Sequence, residues 1–189
     1  MPWQFDPAHS SITFSAKHMM ITTVHGRFDQ WTGTIDLDEH HPENSRVEVT
    51  IYANSIDTDN EQRDAHLKSP DFLDAQKYPT IKFKSTRITQ LSDTTATILG
   101  QLTIHGETRE VPLNATLEGV TRNMQGARVA GFTVDGTLNR KDWGLNWNVA
   151  LEAGGWLVSD TVKLHVEAEL IQQGAQQPRP AQPAGAAQS

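Results

Sequence analysis

The sequence predicts an all-β fold: a single extended eight-stranded antiparallel barrel with short helices near its mouth. Three observations predict it. Apolar residues recur at every second position in run after run, turn residues separate the runs at short intervals, and strands do not alternate with long helical segments. Alternation, as opposed to continuous apolar runs, marks antiparallel strands with one dry face. The missing βαβ rhythm excludes a doubly wound sheet.

The first strand is read from Ile12, Phe14 and Ala16, which alternate with Ser11, Thr13 and Ser15. A second is expected between Phe28 and Leu37. Val47, Val49, Ile51 and Ala53 alternate with Glu48, Thr50 and Tyr52, and Ile81, Phe83 and Ser85 follow. Ile98, Gly100, Leu102 and Ile104 lead through the tight turn His105-Gly106 into Val111, Leu113, Ala115 and Leu117. Gly106 suits that turn because it takes positive φ at no steric cost. After a turn at Arg122-Asn123-Met124-Gln125-Gly126 come Phe132, Val134, Gly136 and Leu138. The last run sets Val162, Leu164, Val166, Ala168 and Leu170 against Thr161, Lys163, His165, Glu167 and Glu169.

Two segments break the pattern. Residues 17–24 are expected to form one or two helical turns. Residues 56–79 hold the best helical stretch, capped by Asp59 or Asn60, running over Glu61-Gln62-Arg63-Asp64-Ala65-His66-Leu67-Lys68 and ended by Pro70. A short turn over residues 71–74 follows. Non-strand insertions of this length usually build lids or mouths. Residues 1–172 are expected to form the domain, and the Gln/Pro/Ala-rich stretch 173–189 a disordered tail that cannot bury enough to order itself.

Composition narrows the function. The 189 residues include no cysteine, which excludes disulfides, thiolate metal sites and thiol nucleophiles. A net charge of -7, from 16 Lys+Arg against 23 Asp+Glu, argues against a nucleic-acid surface and against docking on anionic headgroups. No apolar stretch is long enough to span a bilayer, so stable membrane insertion is not expected. The start, Met1-Pro2-Trp3-Gln4-Phe5, lacks the features of a secretory signal. A cytoplasmic location is therefore expected, or a periplasmic one if a signal has been removed.

Asp57-Thr58-Asp59-Asn60-Glu61 resembles the start of a calcium loop, but Gln62 and Lys68 stand where that loop needs Gly and Glu. Capping of the next helix accounts for these carboxylates. The eight histidines include no His-Glu-x-x-His pair, and no metal is expected. His40-His41 lies in a polar turn, His105 precedes a turn glycine, and His165 alternates with core residues and so faces outward. Gly-x-Ser-x-Gly, P-loop and Gly-x-Gly-x-x-Gly motifs are absent. On a helix, Arg63, His66 and Leu67 share one face, suited to the polar head of an amphiphile or simply to solvent, while Asp64 points elsewhere. Trp143, Trp147 and Trp156, among Gly144, Gly154 and Gly155, are expected to close a barrel end or touch a ligand.

An ordered series of blocks then resembles the YceI family of lipocalin-like polyisoprenoid-binding proteins, from residue 3 to about 171. It opens with Asp6-Pro7-Ala8-His9-Ser10 and Val24-His25-Gly26-Arg27-Phe28. It continues through Asn60-Glu61-Gln62-Arg63-Asp64-Ala65-His66-Leu67-Lys68-Ser69-Pro70-Asp71-Phe72-Leu73-Asp74 and Lys77-Tyr78-Pro79-Thr80. Gly100-Gln101-Leu102-Thr103-Ile104-His105-Gly106 and Asn139-Arg140-Lys141-Asp142-Trp143-Gly144 complete it. The chain departs from the family pattern at Trp143, where Phe is usual and the bulkier ring is expected to shorten the cavity. A signal peptide, which many periplasmic members carry, is not expected in this chain.

The resemblance implies a barrel with a long internal tunnel for an isoprenoid quinone or polyprenyl phosphate, bound without catalysis and with no cofactor, in a chain that forms a homodimer. Small inward positions, Ala53, Gly100, Ala115 and Gly136, are expected to leave room. The expected lining is Ile12, Phe14, Met19, Met20, Phe28, Phe72, Leu73, Phe83, Leu102, Phe132, Leu138 and Trp143, with His18, Arg63 and His66 at the head group. Two alternatives stand beside it. One is an enzyme on a hydrophobic substrate, pairing His18 or His66 with Asp64 as acid and base. The other is a stress-response module with a filled core.

Overall fold

The computed structural model describes residues 2–174. The expected tail therefore lies outside the described residues from position 175 onward. Of its first residues, Gln173 is tied down, its backbone N–H donating to Pro2 O at 2.9 Å and its side chain to Gln4 at 2.8 Å.

Among the described residues, eleven strands form one antiparallel sheet: β1 (Trp3–Phe5), β2 (Ser11–His18), β3 (Thr22–Phe28), β4 (Trp31–Asp36), β5 (Arg46–Tyr52), β6 (Ile56–Asp57), β7 (Thr80–Gln90), β8 (Thr95–Ile104), β9 (Glu107–Arg122), β10 (Arg128–Asn139) and β11 (Val158–Gln172). The ladder runs β4-β5-β7-β8-β9-β10-β11-β2-β3-β6, with β1 added to β11. The sheet closes because β3 continues into β4 through a bend at Asp29 and Gln30. β5 and β6 follow the same bend around a short turn, Ala53–Ser55. Asp29 N donates to Ser55 O (3.2 Å) and Tyr52 N to Gln30 O (3.0 Å) across it. One long bent strand thus pairs with β2 at its start and β5 at its end. Counting the two bent strands once each, and setting β1 aside, leaves the eight strands the sequence predicts. β1 fills the gap beside β4, where the Phe5 ring meets Trp31 edge-on at 5.6 Å.

Residues 17–24, expected as helical turns, instead form the β2–β3 hairpin, with Lys17 opposite Thr23 and His18 opposite Thr22. The alternation is hidden there because β3 is exposed along much of its length and its one fully buried residue is Gly26. The helix α1 (Glu61–Lys68) forms as expected, its Asn60 side chain accepting from Arg63 N. From Ser69 to Tyr78 the chain folds into successive turns that lay Phe72, Leu73 and Ala75 in the interior.

Packed side chains close both ends of the barrel. At the α1 end, Leu73, Ile81, Leu102, Leu138, Trp143 and Leu145 form one buried cluster. At the other, Trp3, Ala130 and Leu170 form a second, flanked by Phe5, Leu37 and Phe132. Two expected sources of room prove filled. A Cβ at Gly100 would collide with the Phe83 ring, and one at Gly136 with the Leu113 side chain. Ala53 lies in the buried turn between β5 and β6, whereas Ala115 does face the interior.

Candidate functional site

Between the two packed ends the inward residues enclose an apolar hollow of about 380 Å³, within the roughly 300–1,000 Å³ usual for small-molecule sites. Strand periodicity builds its wall. β2 contributes Ile12, Phe14 and Ala16, and β11 contributes Val162, Leu164, Val166, Ala168 and Leu170. Ile12, Val47, Val49, Ile98, Leu113, Val134 and Val166 all line this space yet are only half-buried. Side chains meeting in a close-packed core are almost wholly covered; these face a void. From Val162 to Leu170 the lining on β11 extends about 26 Å along the strand at roughly 3.3 Å per residue. Allowing for the usual strand tilt, that is about 20 Å along the barrel axis, the packed end at Leu170 included. The hollow is narrow and long.

Glycines keep the wall thin. The Phe14 ring lies over Gly26, its direct partner across the β2–β3 ladder, and the Phe83 ring over Gly100 on β8. Each ring rests on bare backbone instead of standing into the lumen.

The polar residues along the lining are held by the protein itself, with the Thr13 side chain on the outer face of β2 opposite His165. Thr13 Oγ1 donates to His165 O (2.8 Å), and Ser45 Oγ accepts from Asp38 N (3.0 Å). Arg46 donates to the carbonyls of Asn44 and Ser45. Arg140, 5 % exposed, donates from Nε to Ser159 O (2.9 Å) and from Nη1 to Leu145 O (2.6 Å) and Trp147 O (2.9 Å). It pins the 144–159 loop over the barrel end. Burial pulls its pKa below the ordinary guanidinium value and nearby Asp160 opposes this; the group stays charged. The Asn139-Arg140-Lys141-Asp142-Trp143 block carries no sequence signal for this role of Arg140. Its carbonyl partners, Leu145, Trp147, Val158 and Ser159, are backbone groups and so leave no pattern in sequence.

Of the apolar residues expected to line the tunnel, Ile12, Phe14, Phe28, Phe72, Leu73, Phe83, Leu102, Phe132, Leu138 and Trp143 do so. Trp143 Nε1 donates to Leu102 O at 3.0 Å, which locks its ring into the end cluster. Met19 and Met20 do not. They form the tip of the β2–β3 hairpin at φ 51 and 63 and are exposed.

The three residues expected at a head group are also absent from the lining. His18 ends β2 beside the hairpin tip. Arg63 turns back onto Thr58, donating to its Oγ1 (2.8 Å) and its carbonyl (2.6 Å). His66 Nε2 pairs with Asp71 Oδ2 (2.9 Å), and its ring stands edge-on to Phe72 and Trp147. Asp64 accepts from Thr58 N (2.9 Å), so the expected pair of a histidine with Asp64 is replaced by His66 with Asp71. α1 presents only Leu67 to the cavity; the 57–59 turn captures the helix's first turn.

The sequence matches the YceI-like domain over residues 3–170. It is 39 % identical over 166 residues to a UPF0312 protein of Staphylococcus aureus, covering 87 % of this chain and 94 % of that one. A UPF0312 protein of Staphylococcus epidermidis is likewise 39 % identical, over 168 residues, covering 88 % and 95 %. The structure is similar to that of a Campylobacter jejuni YCEI protein, with a TM-score of 0.72 and 30 % identity over 84 % of this chain and 90 % of that one. It is similar in fold to Burkholderia cenocepacia BcnA, with a TM-score of 0.74 and 21 % identity over 88 % and 99 %. A polyisoprenoid binding domain from Saccharophagus degradans shares the fold at a TM-score of 0.63 and 13 % identity over 92 % and 99 %.

Proposed function

The chain belongs to the family of YceI-like domains, and from that premise we propose that it binds a long-chain isoprenoid lipid in the barrel, to store or carry it without altering it. One observation carries the proposal: inward apolar side chains such as Val49, Ile98, Leu113, Val134 and Val166 face an elongated void instead of each other. An apolar tube of this shape fits a slender hydrocarbon, because a barrel of about eight strands has room for one such ligand. The Saccharophagus degradans domain, described as polyisoprenoid binding, shares this fold and supports the choice of ligand class.

Burial of a hydrocarbon tail is worth about 0.8 kcal/mol per CH₂, a sum that for a polyprenyl chain exceeds any measured affinity once ordering costs are ignored. Tail length is therefore the dominant variable. Thr13, Ser45, Arg46 and Arg140 already hold backbone partners, so head-group recognition contributes less than the tail, for quinone and phosphate heads alike. Organic extraction of freshly purified protein, with mass spectrometry of the extract, tests this. A co-purifying isoprenoid supports it. Protein that yields no long-chain lipid and takes none up from detergent micelles overturns it.

A further inference from the structure

A cluster of exposed apolar side chains lies outside the cavity, on two joined hairpins. Met19, Met20 and Ile21 follow one another at the tip of the β2–β3 hairpin and are 44 %, 63 % and 77 % exposed. Trp156, 52 % exposed, and Val149, 46 % exposed, stand on the adjacent 149–157 hairpin, which Leu157 N→Val149 O and Leu151 N→Gly155 O close. The two hairpins are joined. Met19 N donates to Leu157 O at 2.8 Å, and the Met20 thioether occupies the space a Cβ at Gly155 would need. Both methionines hold positive φ, a region that residues with a Cβ avoid. The backbone is thus held in an unfavourable form that displays three consecutive large apolar side chains to solvent. Clusters of this kind mark interaction sites.

The position of the tip is informative. His18 lies opposite Val158 and Ala16 opposite Val162 on β11, and Ala16, Val158 and Val162 line the cavity. The tip therefore projects from the barrel end that α1, Trp143 and the Arg140-held loop cover.

We propose that this tip is a lipid-surface docking element. Met19, Met20, Ile21 and Trp156 enter the headgroup–acyl boundary of an uncharged bilayer and bring the covered end of the cavity against it. A convex tip of flexible thioethers suits a fluid surface that reshapes around it. An amphipathic indole settles at the level of the headgroups. The net charge of -7 opposes anionic lipid, so apolar contact has to drive docking. The purpose of docking rests on the proposed function, since a bilayer is where an isoprenoid partitions.

The test is sedimentation of the full chain with phosphatidylcholine vesicles, with isoprenoid uptake from detergent micelles measured separately. Wild type is expected to sediment with the vesicles, and Ile21→Glu to lower that partitioning about tenfold while melting and micelle uptake stay as in wild type. Trp156→Phe should still sediment but lose the blue shift of tryptophan fluorescence on vesicle addition. Wild type that remains in the supernatant, or Ile21→Glu that sediments equally well, overturns the docking role. So does a wild-type dimer that Ile21→Glu dissolves with no vesicle binding in either. Failure of wild-type uptake from micelles falls on the cavity assignment instead, because sedimentation is read without isoprenoid.

Discussion

The Phe83 ring on β7 lies across the bare Cα of Gly100 on β8, in the space any other residue's Cβ would fill. Contacts of this kind let a barrel carry aromatic residues without filling itself, since the ring covers the neighbouring strand's backbone. Gly100→Val should push the ring into the lumen. Such overpacking costs about 1–3 kcal/mol, and uptake should shift to shorter tails. The double variant Gly100→Val with Phe83→Ala should regain tail length but little stability, because a side chain at position 100 also crowds the Lys84 carbonyl. Thermal melts and native mass spectrometry with ligands of two lengths check this.

Val134 lies at the middle of the hollow, opposite Ala115 on β9 and Val166 on β11. Val134→Phe places bulk in unoccupied space, so stability should change little while uptake is lost. In a filled core the same change would cost about 1–3 kcal/mol. Val134→Asp should abolish uptake as well, with an added loss of stability from a buried carboxyl. Urea denaturation beside lipid uptake separates the two.

Much of this was legible from alternation alone. β7 to β11 announce themselves because their inward positions are large and apolar, as in Val162, Leu164 and Val166. β3 does not, because its inward positions are Val24, Gly26 and Phe28, and a glycine beneath a ring looks like a gap in the pattern. The expected lining failed only at Met19 and Met20, where apolar character was read as burial; positive φ in a tight hairpin is a property of the chain path, not of composition. Arg63 and His66 share a helical face, but which neighbour they meet is decided by the 57–59 turn and Asp71, set by tertiary contacts.

Arg140 offers a test of how the covered end is built. Arg140→Met keeps volume but leaves the Leu145, Trp147 and Ser159 carbonyls without their donor, which should cost about 3 kcal/mol or more. Arg140→Lys should not rescue, since an ammonium cannot reproduce the planar fork. Loosening should concentrate in residues 144–159, read by amide hydrogen exchange.

Stability should also depend on pH in a signed way. The hydrogen bond to Asp135, opposed by modest burial, holds the His165 pKa above its ordinary value. Its contribution is fully present below about pH 6.5 and is lost as pH rises through the raised value. Glu39, hydrogen-bonded first by Arg128, is held below its ordinary value. Its contribution is present above about pH 4.3 and lost as pH falls through the lowered value. The urea midpoint should therefore be highest between those limits. Asp135→Asn should flatten the alkaline decline, and Arg128→Met the acidic one.

The central claim is that an elongated apolar hollow, and not any polar contact, selects the ligand. Native mass spectrometry of the protein against isoprenoids of increasing tail length, each with a neutral and a phosphorylated head, tests it most directly. Affinity should climb with each isoprene unit until the hollow is full and then level off, with little difference between heads. No adduct at any length, or binding that follows the head and ignores the tail, would contradict it.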